Sequence, residues 1–253
     1  MTPEDVLLLS VTRNGPHPLV AEVLHNACTK YGFRWAHQWG CSDLVFTRSQ
    51  VFLDALKVKP KAIVSIDSDI LFEVDQLMAI VNKLSVEDKI GQVGGFYMRR
   101  GGNDPSFRLD GPVECNLGVG GDIIPVSGLG LGFTAILTEA LVDAQKLAPV
   151  VVVDEKIPLV CMPLAINNIY YSEDYALTWR IRAAGWKTLA DLSTCVKHIG
   201  DHPFDYHDSL VVHHREVTSK ILAEGYRVRF NGPVDPECVK RLQNDLDLKD
   251  KLV

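Results

Sequence analysis

At 253 residues, with 47% apolar and 23% charged side chains, the chain can build one large core or two small ones and has the balance of a globular protein. A formal charge of −6 and a pI near 5.7 argue against a broad nucleic-acid or anionic-membrane surface, and no apolar run reaches membrane-spanning length. Six cysteines, at 28, 41, 115, 161, 195 and 238, contain no C-x-x-C pair, and the acidic start "MTPEDV" lacks the basic opening of a signal peptide, so reduced thiols in a cytoplasmic protein are expected.

The first element, "DVLLLSV" (5–11), reads as a buried strand that ends on Thr12, Arg13 and Asn14. A helix follows from about Pro18, with Val20, Val23, Leu24 and Ala27 at helical spacing. "FRWAHQW" (33–39) alternates and predicts a second strand; "SQVFLDALK" (49–57) predicts a helix; "AIVSI" (62–66), rich in β-branched residues, predicts a central strand. A helix over 73–84 and a strand over 92–98 complete a βαβαβαβ run, which implies a mostly parallel sheet with helices on both faces.

Nine glycines then fall between 100 and 132, with short strand candidates at 110–117 and 122–127; an antiparallel insertion or mobile loop region is expected. Within it "GLGLGF" (128–133) lies too far from the first strand for a dinucleotide fingerprint, and close backbone packing or a tight turn is the better use of its glycines. "FTAILTEALVDAQKL" (133–147) is read as helix. "SEDYALTWRIRAAG" (172–185) is a marked helix, with Ser172 to cap it, acids in its first turn and Gly185 to end it. Residues 187–200 are extended, and a helix is expected at 235–245. Trp179 and Trp186 are read as core before sugar platforms.

The segment with chemical content is "KAIVSIDSDILF" (61–72). A buried strand ending on Asp67 and Asp69 places two carboxylates where open α/β sheets bind ligands. If extended geometry persists, both side chains point to one face and can share a divalent cation; the plainer reading is two solvated aspartates in a loop. Arg99 and Arg100, after "GGFYM", are expected either to pair with phosphate or to lie exposed. His202, His207, His213 and His214 follow His198, as a separate metal cluster or as a solvated tail.

The ordered set "SDLVFTRSQVFLDAL", "IVSIDSDILF", "VGGFYMRR", "GLGLGFTAILTEAL" and "YSEDYALTWRIRAAGWKTLADLSTCVKHIG" resembles the nucleotide-sugar glycosyltransferases of GT-A fold, the family-2-like enzymes in particular. The resemblance spans about residues 5–200 and implies a catalytic domain over 1–200; residues 201–253, which the resemblance does not cover, are expected as a C-terminal extension packed on it. It implies metal ligation by Asp67, Asp69 and His198, with Mn²⁺ or Mg²⁺ as the cation, and general-base catalysis by Asp174 with Glu173 beside it. Thr12, Arg13, Arg48, Asp67 and Ser68 would meet the nucleotide sugar, a UDP-sugar being the first expectation. The chain departs from the family in carrying Ser49 where an asparagine is usual and in ending its first strand "SVTRN".

The function expected on this basis is metal-dependent, inverting sugar transfer to a hydroxyl. Two alternatives stay open: a nucleotidyltransferase acting on a sugar phosphate, against which "SVTRNGPHP" offers only one glycine and one arginine for a phosphate loop, and a non-catalytic nucleotide- or carbohydrate-binding module. Acids in a first helical turn stabilise the helix dipole, so Asp174 also has a purely structural explanation. The acceptor is open, with nucleic acid mildly disfavoured by the acidic balance.

Overall fold

A computed structural model of the chain describes residues 1–12, 15–38, 43–99, 105–111 and 113–199, together with the backbone of 203–204 and 227–231. Arg13, Arg100, the four histidines after His198 and the helix expected at 235–245 lie outside the described residues.

The first half follows its hydrophobic pattern. Strand β1 (Val6–Val11) leads to helix α1 (Pro18–Tyr31), which starts on Pro18 and ends at Gly32 in the left-handed conformation (φ 80°) that glycine adopts without strain. Strand β2 (Arg34–Gln38) precedes helix α2 (Leu44–Lys57), which begins five residues earlier than expected because the Asp43 carboxylate accepts the Phe46 N–H and caps it. Strand β3 (Ala62–Ile66) is buried along its whole length; β4 (Ile70–Leu71), α3 (Val74–Val81) and β5 (Ile90–Phe96) follow.

The glycine-rich stretch holds short strands, β6 (Phe107–Arg108), β7 (Glu114–Gly118), β8 (Ile123–Pro125) and β9 (Gly128–Leu129); β6 pairs antiparallel with β9, as an antiparallel insertion would, whereas the pairing of β7 is parallel. Its Cys115, Leu117, Ile124, Val126 and Leu129 pack with Phe96, Met98, Ala190 and Leu192 into a second apolar cluster beside the main core. The "GLGLGF" glycines serve close packing: a Cβ on Gly132 would stand 2.5 Å from the Tyr97 hydroxyl, and one on Gly128 would stand 2.8 Å from the Tyr175 ring.

Residues 133–137 are not the start of a helix but strand β10 (Phe133–Leu137), and helix α4 (Thr138–Gln145) begins only afterwards. β10 inserts antiparallel between β3 and β5, where both of its faces are buried. A five-residue apolar run carries no periodicity that separates buried strand from buried helix.

Two hairpins follow, β11 (Val150–Val152) with β12 (Lys156–Pro158) and β13 (Leu164–Ile166) with β14 (Ile169–Tyr171), the latter turning through Asn167 and Asn168 at positive φ. Helix α5 (Glu173–Ala183) then leads into β15 (Lys187–Cys195), β16 (Lys197–Ile199), β17 (Pro203–Phe204) and β18 (Arg227–Asn231). β17 pairs with β16 and β18 with β7.

The architecture is α/β. The central sheet has seven strands in the order β2-β1-β3-β10-β5-β15-β8; β2, β1, β3, β5 and β15 run one way, β10 and β8 the other. Helix α1 packs with α3 and α4 with α5, and helices flank the sheet. The carboxyl ends of β1, β3, β5 and β15 and the amino end of β10 therefore share one edge. Among the described residues no helix is long and apolar enough to cross a membrane.

Candidate functional site

The residues singled out after β3 do not act as one pair. Extended geometry stops at Ile66: the Ile70 N–H donates to the Asp67 carbonyl (3.2 Å), and "DSD" is a turn. Asp67 and Asp69 consequently meet different partners. The Asp67 amide donates to Gly132 O (2.9 Å) and its carboxylate lies 2.6 Å from Arg48 Nη2. Asp69 Oδ2 lies 3.2 Å from His198 Nε2.

Arg48 does not present a free cation to a phosphate. Its side chain is buried in the second turn of α2; one arm of the guanidinium holds Asp67 and the other lies 3.5 Å from Glu173 Oε1. Burial pulls against the charge, but Asp67, the Cys161 sulfur, Glu173 and Asp174 outweigh it and hold the guanidinium pKa above its ordinary value. Ser49, in the position where the family carries asparagine, is fully buried and accepts the Cys161 N–H (3.2 Å), tying α2 to the 159–162 turn. Burial pushes the Cys161 thiol up to about 12, with Arg48 and the Ser49 hydrogen bond acting the other way, so it is a packed thiol and not a nucleophile.

Asp69 and His198 are brought together by β4 and β16, which pair His198 with Ile70; the Ile199 N–H also donates to Asp69 O (2.7 Å). His198 Nδ1 lies 3.0 Å from Met98 O, and Tyr97 meets the imidazole edge-on at 5.9 Å between centroids. Both ring nitrogens thus face oxygen acceptors. With Nδ1 donating to Met98 O, Nε2 would be the nitrogen left to face Asp69 and a cation. A carboxylate and an imidazole donor in this arrangement suit Mn²⁺ at least as well as Mg²⁺. Among the described residues no group of three or more His, Cys, Asp or Glu side chains is arranged to hold a metal; Asp67 faces Arg48, and Asp69 faces His198.

Asp174 stands at the start of α5 with its carboxylate mostly buried. Ser172, the N-cap residue, does not accept a backbone bond; its hydroxyl donates to Asp174 Oδ1, which also accepts the Tyr175 N–H (2.8 Å). Oδ2 faces Arg99 Nη2 at 3.9 Å. Thr12 is buried and spends its hydroxyl accepting the Gly15 N–H (2.8 Å), and the Ser68 carbonyl accepts the His17 N–H (2.8 Å), so both shape the strand ends before α1. Trp186 is core, donating from Nε1 to Asp143 (3.0 Å).

Sequence reasoning missed Tyr97. Its hydroxyl, buried under Gly132, accepts that residue's N–H at 3.0 Å, and burial with the nearby Asp67 charge raises its pKa. The position at the carboxyl end of β5 after two glycines was the available signal. The segment 97–99 links the two halves of the site: Tyr97 and Met98 touch His198, and Arg99 faces Asp174.

No family model and no curated protein matches the chain. Among solved structures, the crystal structure of A197 from STIV is similar, with a TM-score of 0.50 at 16% identity, over 77% of this chain and 86% of that one. At that identity the likeness speaks for the α/β fold alone.

Proposed function

We propose that the chain is a metal-dependent, inverting glycosyltransferase that moves a sugar from a nucleotide-sugar donor, in the first instance a UDP-sugar, to an acceptor hydroxyl. The observation that carries this reading is the placement of the Asp69–His198 pair and of Asp174 on either side of the three residues Tyr97, Met98 and Arg99, at the carboxyl edge of the sheet. Asp69 and His198 would hold the divalent cation, which when bound supplies positive charge against the departing diphosphate.

Asp174 is the base in this reading. Oδ1 is fixed by the Ser172 hydroxyl and the Tyr175 amide, which leaves Oδ2 to accept the acceptor's proton as its oxygen bonds to the anomeric carbon. The bond from that carbon to the diphosphate oxygen breaks in the same displacement, the nucleoside diphosphate leaves, and the configuration inverts. Arg48 holds Asp67 and Glu173 in place around this centre. We place the enzyme in the cytoplasm, a setting with which the free thiols of Cys28, Cys115 and Cys161 agree.

The test is isothermal titration of UDP with and without Mn²⁺. Wild type is expected to bind UDP far more tightly with the cation, and Asp69→Asn to lose that difference while keeping its fold. Equal affinity in the variant removes Asp69 from the metal site.

A further inference from the structure

We propose that Arg99 and Arg108 form a phosphate-binding subsite beside Asp174 that receives an anionic group of the acceptor, a proposal that rests on the transferase reading above. The two guanidinium groups share one aromatic ring. The Arg99 guanidinium carbon lies 4.9 Å from the Tyr175 centroid and that of Arg108 5.0 Å; Arg108 also lies 5.5 Å from the Tyr171 centroid. Tyr175 is buried, and its ring sits so close to Gly128 that a Cβ there would stand 2.8 Å from it. The ring is therefore seated on a glycine backbone, and the cations gather on a fixed platform.

Two like charges on one ring repel unless an anion joins them. Asp174, at 3.9 Å from Arg99, is too far for a hydrogen bond. Among the described residues Arg108 has no carboxylate within ion-pair distance, and its guanidinium makes one long bond, 3.4 Å, to Tyr170 O. Each guanidinium carries five N–H donors in a planar fork, so among the described residues most of this capacity is unspent, and the Arg99 side chain is 43% exposed to solvent. Paired forks with open donors suit the several oxygens of a phosphoryl group.

Such a group has two possible sources, the donor's diphosphate and the acceptor. The geometry favours the acceptor. Asp69 and His198 sit on the β4–β16 pairing, whereas Arg108 belongs to a different one, β6 with β9, where the Ser127 N–H and hydroxyl both donate to Arg108 O (2.8 and 3.2 Å). The neighbouring residue, Asp174, is the group assigned to the acceptor hydroxyl.

The experiment titrates the full chain with inorganic phosphate in the absence of divalent cation, followed by ³¹P NMR, and separately with UDP and Mn²⁺ by calorimetry. Wild type is expected to bind phosphate saturably. Arg108→Gln is expected to weaken phosphate about tenfold, the loss of one charge-assisted contact, while UDP–Mn²⁺ affinity stays within about twofold. Arg99→Gln carries the same expectation and covers the case in which loss of the Arg108 stack unfolds the chain. Absence of saturable phosphate binding by wild type, or phosphate affinity unchanged from wild type in both variants, overturns the subsite. A parallel loss of UDP affinity in Arg108→Gln assigns the cations to the donor and overturns the acceptor assignment. Failure of the transferase reading shows differently: wild type then binds no UDP with Mn²⁺, while the phosphate response to Arg108→Gln is kept.

Discussion

Arg48 Nη2 stands 2.6 Å from Asp67 Oδ1, and through this contact the second turn of α2 grips the end of β3. Its other arm reaches Glu173, so one buried cation joins two acidic motifs that lie more than a hundred residues apart in sequence. Arg48→Met is expected to leave both carboxylates facing each other and to destabilise the fold. Breaking a buried pair costs roughly 3–5 kcal/mol; because Asp67 keeps 34% of its side chain exposed, the lower end applies. Arg48→Lys keeps the charge without the fork and should restore only part of the loss. Urea unfolding measures both, and a cost below about 1 kcal/mol, the scale of a surface pair, would show that the bridge does not organise the site.

Asp174→Asn is expected to lower sugar transfer at least about a hundredfold, the lower bound of general-base catalysis, with UDP–Mn²⁺ affinity retained. If Asp174 served only the helix dipole, the same change would cost a fraction of a kcal/mol in stability and leave the rate nearly intact. Initial rates of transfer separate the two outcomes. Near-normal turnover would pass the role to Glu173, which Arg48 already engages.

Gly132→Ala is expected to destabilise by roughly 1–3 kcal/mol, the usual cost of overpacking, because its Cβ would fall 2.5 Å from the Tyr97 hydroxyl. Tyr97→Phe removes that oxygen, so the double variant should recover part of the loss although the bond from the Gly132 N–H is gone. The Asp67 amide donates to Gly132 O, which links this packing to the turn that carries the aspartates. Thermal unfolding of the two single variants and the double decides it; strictly additive losses would count against the clash.

The Asp191 carboxylate is fully buried beneath the irregularity between Asp191 and Cys195 that redirects β15 toward His198. Burial raises its pKa, but Lys83 at 2.7 Å and the Ser193 and Thr194 hydroxyls outweigh that, and the net value lies below an ordinary aspartate. A folded-state pKa below the unfolded one means that the stability from Asp191 is complete above the unfolded value, about 3.9, and is lost as pH falls through the folded value. Lys83→Met removes the ammonium, so the folded pKa rises and the loss begins at higher pH. Acid unfolding followed by circular dichroism should show the midpoint moved upward; an unmoved midpoint would exclude Lys83 as the controlling partner.

The sequence by itself determined the local elements and the edge at which chemistry collects. Apolar runs at 5–11 and 62–66 and the helical spacing after Pro18 are short-range signals, and they form as read. Because side chains just past a strand's carboxyl end come to the edge of the sheet, Asp67 and Asp69 could be placed there before any tertiary contact was known. What they touch could not. The partition of Asp67 to Arg48 and Asp69 to His198 depends on a turn that ends the extended geometry and on the β4–β16 pairing, which joins residues far apart in the chain. The strand at Phe133–Leu137 was settled in the same way: five apolar residues are compatible with helix or strand, and the open position between β3 and β5 chose strand because it satisfies the backbone groups of both neighbours. The pair of cations on Tyr175 of α5 likewise depends on Gly128, on β9, leaving room for the ring.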